Sequence, residues 1–311
     1  MDSSSSAIEV RGLSRSFGEV VAVRDLSFSV RPGEIFSLVG PDGAGKTTIL
    51  RMLAGILVPD KGEITVAGCN VIADPDGVKS RISYMPQRFG LYEDLTSEEN
   101  MRFYADMYGV SRRDYADQSA FLLDACGMTP FRGRLTANLS GGMKQKLGLI
   151  CALIHTPQVM LLDEPTNGVD PVSRREFWEI LYGLLGRGVT ILNSTAYLDE
   201  AERCHRLALI HNGSLLFCDK PRLLKERMPG RIVALICSNG RQLRDRLRPF
   251  TGVRDIVLAG DALHIFVDDA ALRIPEIRAR LEADGVPYSK LEEVTPTIQD
   301  VFVDAIKRLV Q

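Results

Sequence analysis

The spacing Gly40-x-x-x-x-Gly45-Lys46-Thr47 constrains this chain more than any other feature, because it fixes a loop, the strand before it and the helix after it. Upstream, Ile35-Phe36-Ser37-Leu38-Val39 is an apolar, β-prone run. Downstream, Lys46 to Leu53 carries the apolar spacing of a helix. Glycines in the turn let backbone N–H groups face inward around phosphate oxygens, and the helix aims its positive dipole end at the same point. Gly40, Pro41, Asp42, Gly43, Ala44, Gly45, Lys46, Thr47 and Thr48 are therefore the candidate nucleotide-binding residues. Lys46 is expected to reach the β- and γ-phosphates and the Thr47 hydroxyl to ligate Mg²⁺, with Thr48 packing or capping.

At 311 residues the chain is too long for one ordinary core, so two domains are expected. A net charge of -2 gives no electrostatic footprint for nucleic acid. No apolar run is long enough to cross a bilayer; the densest, Leu147 to Ile154, is too short, so membrane work falls to a partner. Residues 1–7 read as a disordered tail, and Met1 to Ser6 lacks the basic start and apolar middle of a signal peptide. The six cysteines form no C-x-x-C pair and read as reduced, buried thiols; Cys204, His205, His211 and Cys218 fit no familiar zinc spacing.

In chain order, Ile8 to Arg11 and Leu26 to Val30 read as half-exposed strands flanking Phe17. Phe17 is either a base-stacking aromatic or a core residue. After the strand Arg81 to Met85, the amide of Gln87 is placed to sense Mg²⁺ or an attacking water. A helical insertion, about residues 90–155, opens with a capping box at Thr96 to Glu99; Met101, Tyr104 and Tyr108 share a face of its first helix. Its second helix, roughly Arg113 to Cys126, is expected to bury Phe121, Leu122 and Ala125. Ser140, after Leu139, caps the next helix, and Gly141 and Gly142 leave its N–H groups uncovered as a second anion site.

Val159 to Leu162 is an apolar run ending in Asp163 and Glu164, the way a buried parallel strand delivers carboxylates to a sheet edge. Asp163 is expected to hold Mg²⁺ and Glu164 to deprotonate the water that attacks the γ-phosphate. Asp170 and Pro171 start a helix that runs to about Leu185, and Val189 to Thr195 is another buried strand. Strands alternating with helices make residues 8–227 an α/β domain with a parallel sheet. Residues 228–311 read strand, helix, two strands, helix (Pro275 to Ala283), strand and a final helix, an α+β order that suggests a small ferredoxin-like accessory domain.

The loop at 40–47, Gln87, Leu139-Ser140-Gly141-Gly142 and the run ending Asp163-Glu164, in this order, resemble an ATP-binding cassette ATPase over about residues 8–225. The resemblance implies a P-loop NTPase fold with an antiparallel β-subdomain and helical insertion. It implies a head-to-tail dimer, homo- or heteromeric, in which the loop of one subunit and residues 139–142 of the other sandwich ATP and Mg²⁺. Phe17 would then stack on adenine, Gln87 would couple nucleotide to the transporter and join Thr47 and Asp163 at the metal, and Asp170 would lie in the D-loop. Residues 90–96, Met143 to Lys146, Tyr197 to Glu202 and Pro296 to Phe302 are similar to type-2 bacterial exporter subunits of the daunorubicin-resistance class and to the N-terminal half of tandem-cassette exporters. That implies an ATPase at the cytoplasmic face of the inner or plasma membrane, docked on an integral membrane permease.

One departure stands out. Where the family places a histidine that bonds the γ-phosphate, this chain has Ala196, whose methyl donates nothing, so its own site is expected to bind ATP and turn it over slowly. Asp42 likewise replaces the commoner asparagine. Two other readings remain: a soluble cassette ATPase of ribosomes or DNA, and a regulatory nucleotide-binding module without turnover. The first lacks its second cassette or long heptads here; the second is opposed by Glu164.

Overall fold

The computed structural model describes residues 6–237 and 240–310. They form two compact units, one ending at Asp219 and the other beginning at Lys220. Most of the expected tail, residues 1–5, lies outside the described residues. Ala7, assigned to that tail, is tied into the fold: its N–H donates to Val30 and its carbonyl accepts from Ala67, both at 2.8 Å.

The first unit is organised by a sheet of β3 (Ile35–Val39), β6 (Ile82–Met85), β7 (Val159–Asp163), β8 (Thr190–Thr195), β9 (Arg206–His211) and β10 (Ser214–Asp219), in the order β10-β9-β3-β8-β7-β6. Every residue of β3, β7 and β8 is buried, the mark of parallel strands covered on both faces. All neighbours run parallel except β9 and β10, a hairpin whose Asn212 (φ 48°) and Gly213 (φ 76°) both take the left-handed conformation of a type I′ turn.

A second sheet, entirely antiparallel, holds β1 (Ile8–Phe17), β2 (Val20–Val30), β4 (Lys61–Val66) and β5 (Cys69–Asn70) in the order β2-β1-β4-β5. β1 and β2 run longer than the two short stretches expected, because register shifts after Val10, Leu13 and Arg15 let pairing continue to Phe17 and Val20. Helix α1 (Lys46–Leu53) is packed within one apolar cluster that also takes Leu13 and Leu26 from this sheet and Phe36, Leu161 and Leu192 from the core sheet. Burying Ile49, Leu50, Met52 and Leu53 stabilises by about 1.5–3 kcal/mol each, which pins the loop before α1 to the sheet edge.

Short α2 (Pro75–Lys79) is capped by Asp74. The helical insertion comprises α3 (Ser97–Met107), α4 (Arg112–Ala125) and α5 (Gly141–Leu153). α3 carries the Thr96–Glu99 capping box, but of the face expected to be shared only Met101 is buried; Tyr104 is half-buried and Tyr108 exposed. α4 turns a different stripe inward from the one its sequence suggested. Tyr115, Ser119, Leu122 and Leu123 are buried, whereas Phe121 and Ala125 are exposed, the Phe121 ring being covered by the Arg187 guanidinium at 4.1 Å. α6 (Pro171–Leu185) starts at Asp170, which accepts the Val172 and Ser173 N–H groups, and buries Phe177, Trp178, Leu181 and Leu184.

The second unit contains α7 (Pro221–Glu226), β11 (Arg231–Cys237), α8 (Gly240–Leu247), β12 (Val253–Ala259), β13 (Ala262–Val267), α9 (Ala270–Ala283), β14 (Tyr288–Val294) and α10 (Ile298–Val310). Its strands follow the order β12-β13-β11-β14 with every neighbour antiparallel, the arrangement of a split β-α-β pair. Val233, Leu235, Ile265 and Val267 cluster with Leu247 of α8 and Ile277 and Leu281 of α9. From the alternate position His264, Nδ1 lies 2.9 Å from Oδ1 of Asp300 on α10. α9 begins five residues before Pro275, because Asp269 caps the Ala271 and Leu272 N–H groups and leaves the proline inside the helix. Among the described residues no helix is long and apolar enough to cross a membrane.

Candidate active site

Strand register sets the site. Val39 lies opposite Thr195 and Asp163 opposite Ser194, so the chain leaves β3, β7 and β8 at one carboxyl edge. Beside that edge is a cavity of about 690 Å³ lined by residues 42–48, Gln87, Glu164, Asn167 and Asn212, and by Glu19 to Ala22 and Arg24 of the β1–β2 arm.

The loop needs its fixed glycines for room. A Cβ on Gly40 would lie 2.2 Å from the Ile210 carbonyl oxygen, and one on Gly45, at φ 101°, 2.4 Å from that of Ala22. Gly45 is also the N-cap of α1 and offers no capping side chain, so the helix's first N–H groups remain available to an anion. Lys46, 4% exposed, donates from Nζ to the carbonyls of Gly40 (2.8 Å) and Pro41 (3.1 Å) and pairs with Glu164 Oε1 at 3.0 Å.

Asp163 is buried and accepts three hydroxyls: Thr47 (3.1 Å) and Ser194 (2.8 Å) on Oδ1, and Tyr84 (3.3 Å) on Oδ2. Burial and the Asp163 charge push the Tyr84 hydroxyl up to about 12, which keeps it a donor. Glu164 has φ 49°, an unfavourable conformation for a side-chain-bearing residue, and its N–H is held by the Ser194 carbonyl (3.2 Å) and hydroxyl (3.0 Å). Its Oε2 accepts from Gln87 Nε2 and Asn167 Nδ2, each at 3.3 Å.

Thr47, at the cavity wall, and Asp163, buried behind it, carry the hard oxygens Mg²⁺ requires, 3.1 Å apart. No group of three or more His, Cys, Asp or Glu among the described residues could hold a metal by itself. The remaining ligands would come from phosphate and water, as Mg²⁺ favours. Gln87 enters through its amide nitrogen, which faces Glu164.

The other expected residues lie elsewhere. Ser140 and Gly141 are exposed at the N-terminus of α5, where the Ser140 hydroxyl accepts from Met143 N–H at 3.3 Å; Leu139 is buried beside them. Leu139 to Gly142 do not line the cavity. Asp170 is held below the ordinary carboxyl range, chiefly by the Ser173 N–H. Phe17, 49% exposed, is not among the lining residues and carries the Arg15 guanidinium 5.0 Å from its ring centre; Val20 and Val21 line the cavity instead. Ala196 follows β8 outside the lining and contributes only a methyl group.

Sequence reasoning gave Glu200 no role, yet it is fully buried behind the edge. It accepts the hydroxyls of Thr166 (2.6 Å) and Thr195 (2.9 Å), and Arg174 Nε lies 3.5 Å away. Its place among the charged residues Asp199, Glu202 and Arg203 hid it. Ser194 and Tyr84 are defined by partners far along the chain, and Asn167 joins Glu164, three residues before it, to Tyr197, 30 residues beyond, so no local pattern marks them.

A phosphate-binding loop, a buried acid paired with a threonine on the loop's helix, and a second acid poised over the cavity define a P-loop nucleotide-hydrolysing site. The sequence profile of the ABC transporter family matches residues 23–167. The probable multidrug ABC transporter ATP-binding protein YbhF of Escherichia coli (strain K12) is 43% identical over 303 residues, 96% of this chain and 52% of that protein. This chain thus spans about half the length of that relative. Nod factor export ATP-binding protein I of Rhizobium sp. (strain N33) is 37% identical over 304 residues, 96% of each chain. Among solved structures, an ATP-binding subunit of an ABC transporter superposes with a TM-score of 0.65 at 31% identity, covering 71% of this chain and 92% of that one. The chain belongs to the ABC transporter family.

Proposed function

We propose that this chain binds Mg²⁺ and ATP, hydrolyses the γ-phosphate, and so drives a membrane exporter of the drug-efflux kind. The reading is carried by one observation: Lys46, Thr47 and Glu164 line a single cavity, with Lys46 Nζ 3.0 Å from Glu164 and Thr47 Oγ1 3.1 Å from the buried Asp163 directly behind it. Bound Mg²⁺ would neutralise charge on the β- and γ-phosphate oxygens. The chain's own groups do the rest. Loop N–H groups and Lys46 grip the polyphosphate, and an incoming phosphate competes with Glu164 for the Lys46 ammonium. Released from that pair, Glu164 Oε1 accepts a proton from the attacking water while Oε2 stays tied to Gln87 and Asn167.

A second cassette, identical or different, supplies the opposing half. The exposed Ser140-Gly141 helix end lies away from this chain's own cavity, as a contribution to a neighbour's nucleotide requires. An integral membrane permease docks near the aromatic group of Phe89, Tyr92, Phe103 and Tyr104, which begins two residues past Gln87, and holds the cassette at the cytoplasmic face of the membrane. With Ala196 at the switch position, the cassette's own site turns over slowly.

Hydrolysis by the full chain tests the reading. Glu164→Gln is expected to lower turnover at least about a hundredfold while ATP still binds. Turnover at the unmodified rate would remove Glu164 as the base. Co-purification with a polytopic membrane protein tests the coupling.

A further inference from the structure

Glu164 is held by a relay that begins at the residue immediately after Ala196. The Asn167 amide can face only one way between its two neighbours. The Glu164 carboxylate accepts and cannot donate, so Nδ2 points to Oε2 (3.3 Å); Oδ1 then faces Tyr197, whose hydroxyl donates to it at 3.3 Å. Asn167 is also bound to Glu164 through the main chain, its N–H donating to the Glu164 carbonyl at 3.1 Å. The tyrosine itself is clamped. Its N–H donates to Thr195 Oγ1 (3.0 Å), and its ring lies against the Arg174 guanidinium (4.1 Å), which in turn sits 3.5 Å from Glu200 and 3.9 Å from Asp199.

We infer that Tyr197 is a positioning residue for hydrolysis: through the Asn167 amide it fixes the rotamer of Glu164, so that Oε2 stays anchored and Oε1 is left to take the proton of water. The inference rests on Glu164 being the base. It locates that control one residue beyond Ala196, whose methyl offers no hydrogen bond. Without the hydroxyl, Asn167 Oδ1 has no donor, the amide is held from one side only, and one of the two side-chain anchors on Glu164 Oε2 loosens.

The test uses the full chain and single-turnover hydrolysis, with protein in excess of radiolabelled ATP, alongside binding of a non-hydrolysable ATP analogue. Tyr197→Phe keeps the ring on Arg174 and removes only the hydroxyl; it is expected to slow hydrolysis about five- to tenfold with unchanged analogue affinity and unchanged melting temperature. Asn167→Ala should slow it at least as much, and the Tyr197→Phe/Asn167→Ala double variant should be no slower than Asn167→Ala alone, since the two act in one line. An unmodified rate in Tyr197→Phe, losses that multiply in the double variant, or a loss matched by weaker analogue binding would each overturn the inference. If Glu164→Gln also hydrolyses at the unmodified rate, the reading of the site itself has failed; if Glu164→Gln is dead and Tyr197→Phe normal, only the relay has.

Discussion

Replacing Glu200 probes whether the sheet edge beside the cavity depends on a charge buried behind it. The side chain is fully buried and takes two hydroxyls, from Thr166 two residues past Glu164 and from Thr195 directly before Ala196. Alanine leaves both hydroxyls without their acceptor, at about 1–3 kcal/mol each, and takes from Arg174 its nearer carboxylate. Arg174 keeps Asp199 at 3.9 Å and is partly solvated, which moderates the electrostatic loss. The sum is about 3–5 kcal/mol, a large part of the roughly 5–15 kcal/mol that holds a domain together. Glutamine is far milder, about 1–2 kcal/mol. It retains an acceptor for one threonine and lets the other hydroxyl accept from its NH₂, losing mainly the pairing with Arg174.

Urea unfolding followed by the fluorescence of Trp178 measures this directly, since the chain's single tryptophan lies buried in α6 of the same unit. Two results would refute the reasoning: a Glu200→Ala midpoint corresponding to less than about 1 kcal/mol, or equal losses in Glu200→Ala and Glu200→Gln. The first would mean that water or a rotamer change replaces the carboxylate; the second, that packing volume rather than hydrogen bonding is what the site needs.

Thr47→Ala removes one of the two protein oxygens offered to Mg²⁺, so ATP affinity measured with Mg²⁺ should fall about tenfold or more while metal-free ATP binding changes little. If the proposed role of position 196 holds, Ala196→His supplies a donor there and should raise turnover by up to about a hundredfold, equivalent to about 3 kcal/mol, in a steady-state phosphate-release assay. In the second unit, burial pushes the Asp300 carboxyl up, but the His264 ring and the Thr297 N–H and hydroxyl outweigh it and hold the group below its ordinary value. A depressed folded value means that this contribution is complete above the unfolded value of about 3.9 and is lost as pH falls through the folded one. Thermal melting between pH 7 and pH 2 should therefore decline below about pH 4, and Asp300→Asn should lower the pH 7 melting temperature and flatten that decline.

What could be read in advance was whatever short-range chemistry decides. Gly45 before Lys46, Ser140 before Gly141 and Asp170 before Pro171 each announce a helix start within a few residues, and the run Val159 to Leu162 announces a strand with no solvent face. What stayed hidden was decided by partners distant in sequence. α4 carries two stripes that helical periodicity cannot rank: Phe121 with Ala125, and Tyr115 with Ser119, Leu122 and Leu123. The choice fell to the second once Arg187, 66 residues beyond Phe121, could cover that ring from outside. Glu200 shows the same limit for charge. In sequence it is one acid among Asp199, Glu200 and Glu202, and nothing local separates the buried one from the exposed ones. Only when β7 and β8 are paired do Thr166 and Thr195 arrive with two hydroxyls, and Arg174 with a cation, to make burial of that particular carboxylate tolerable. The phosphate grip was thus legible because it is built from one contiguous loop. The setting of Glu164 was not, because besides its near neighbour Asn167 it is held by Gln87 and Ser194, from segments that reach it only at the sheet edge.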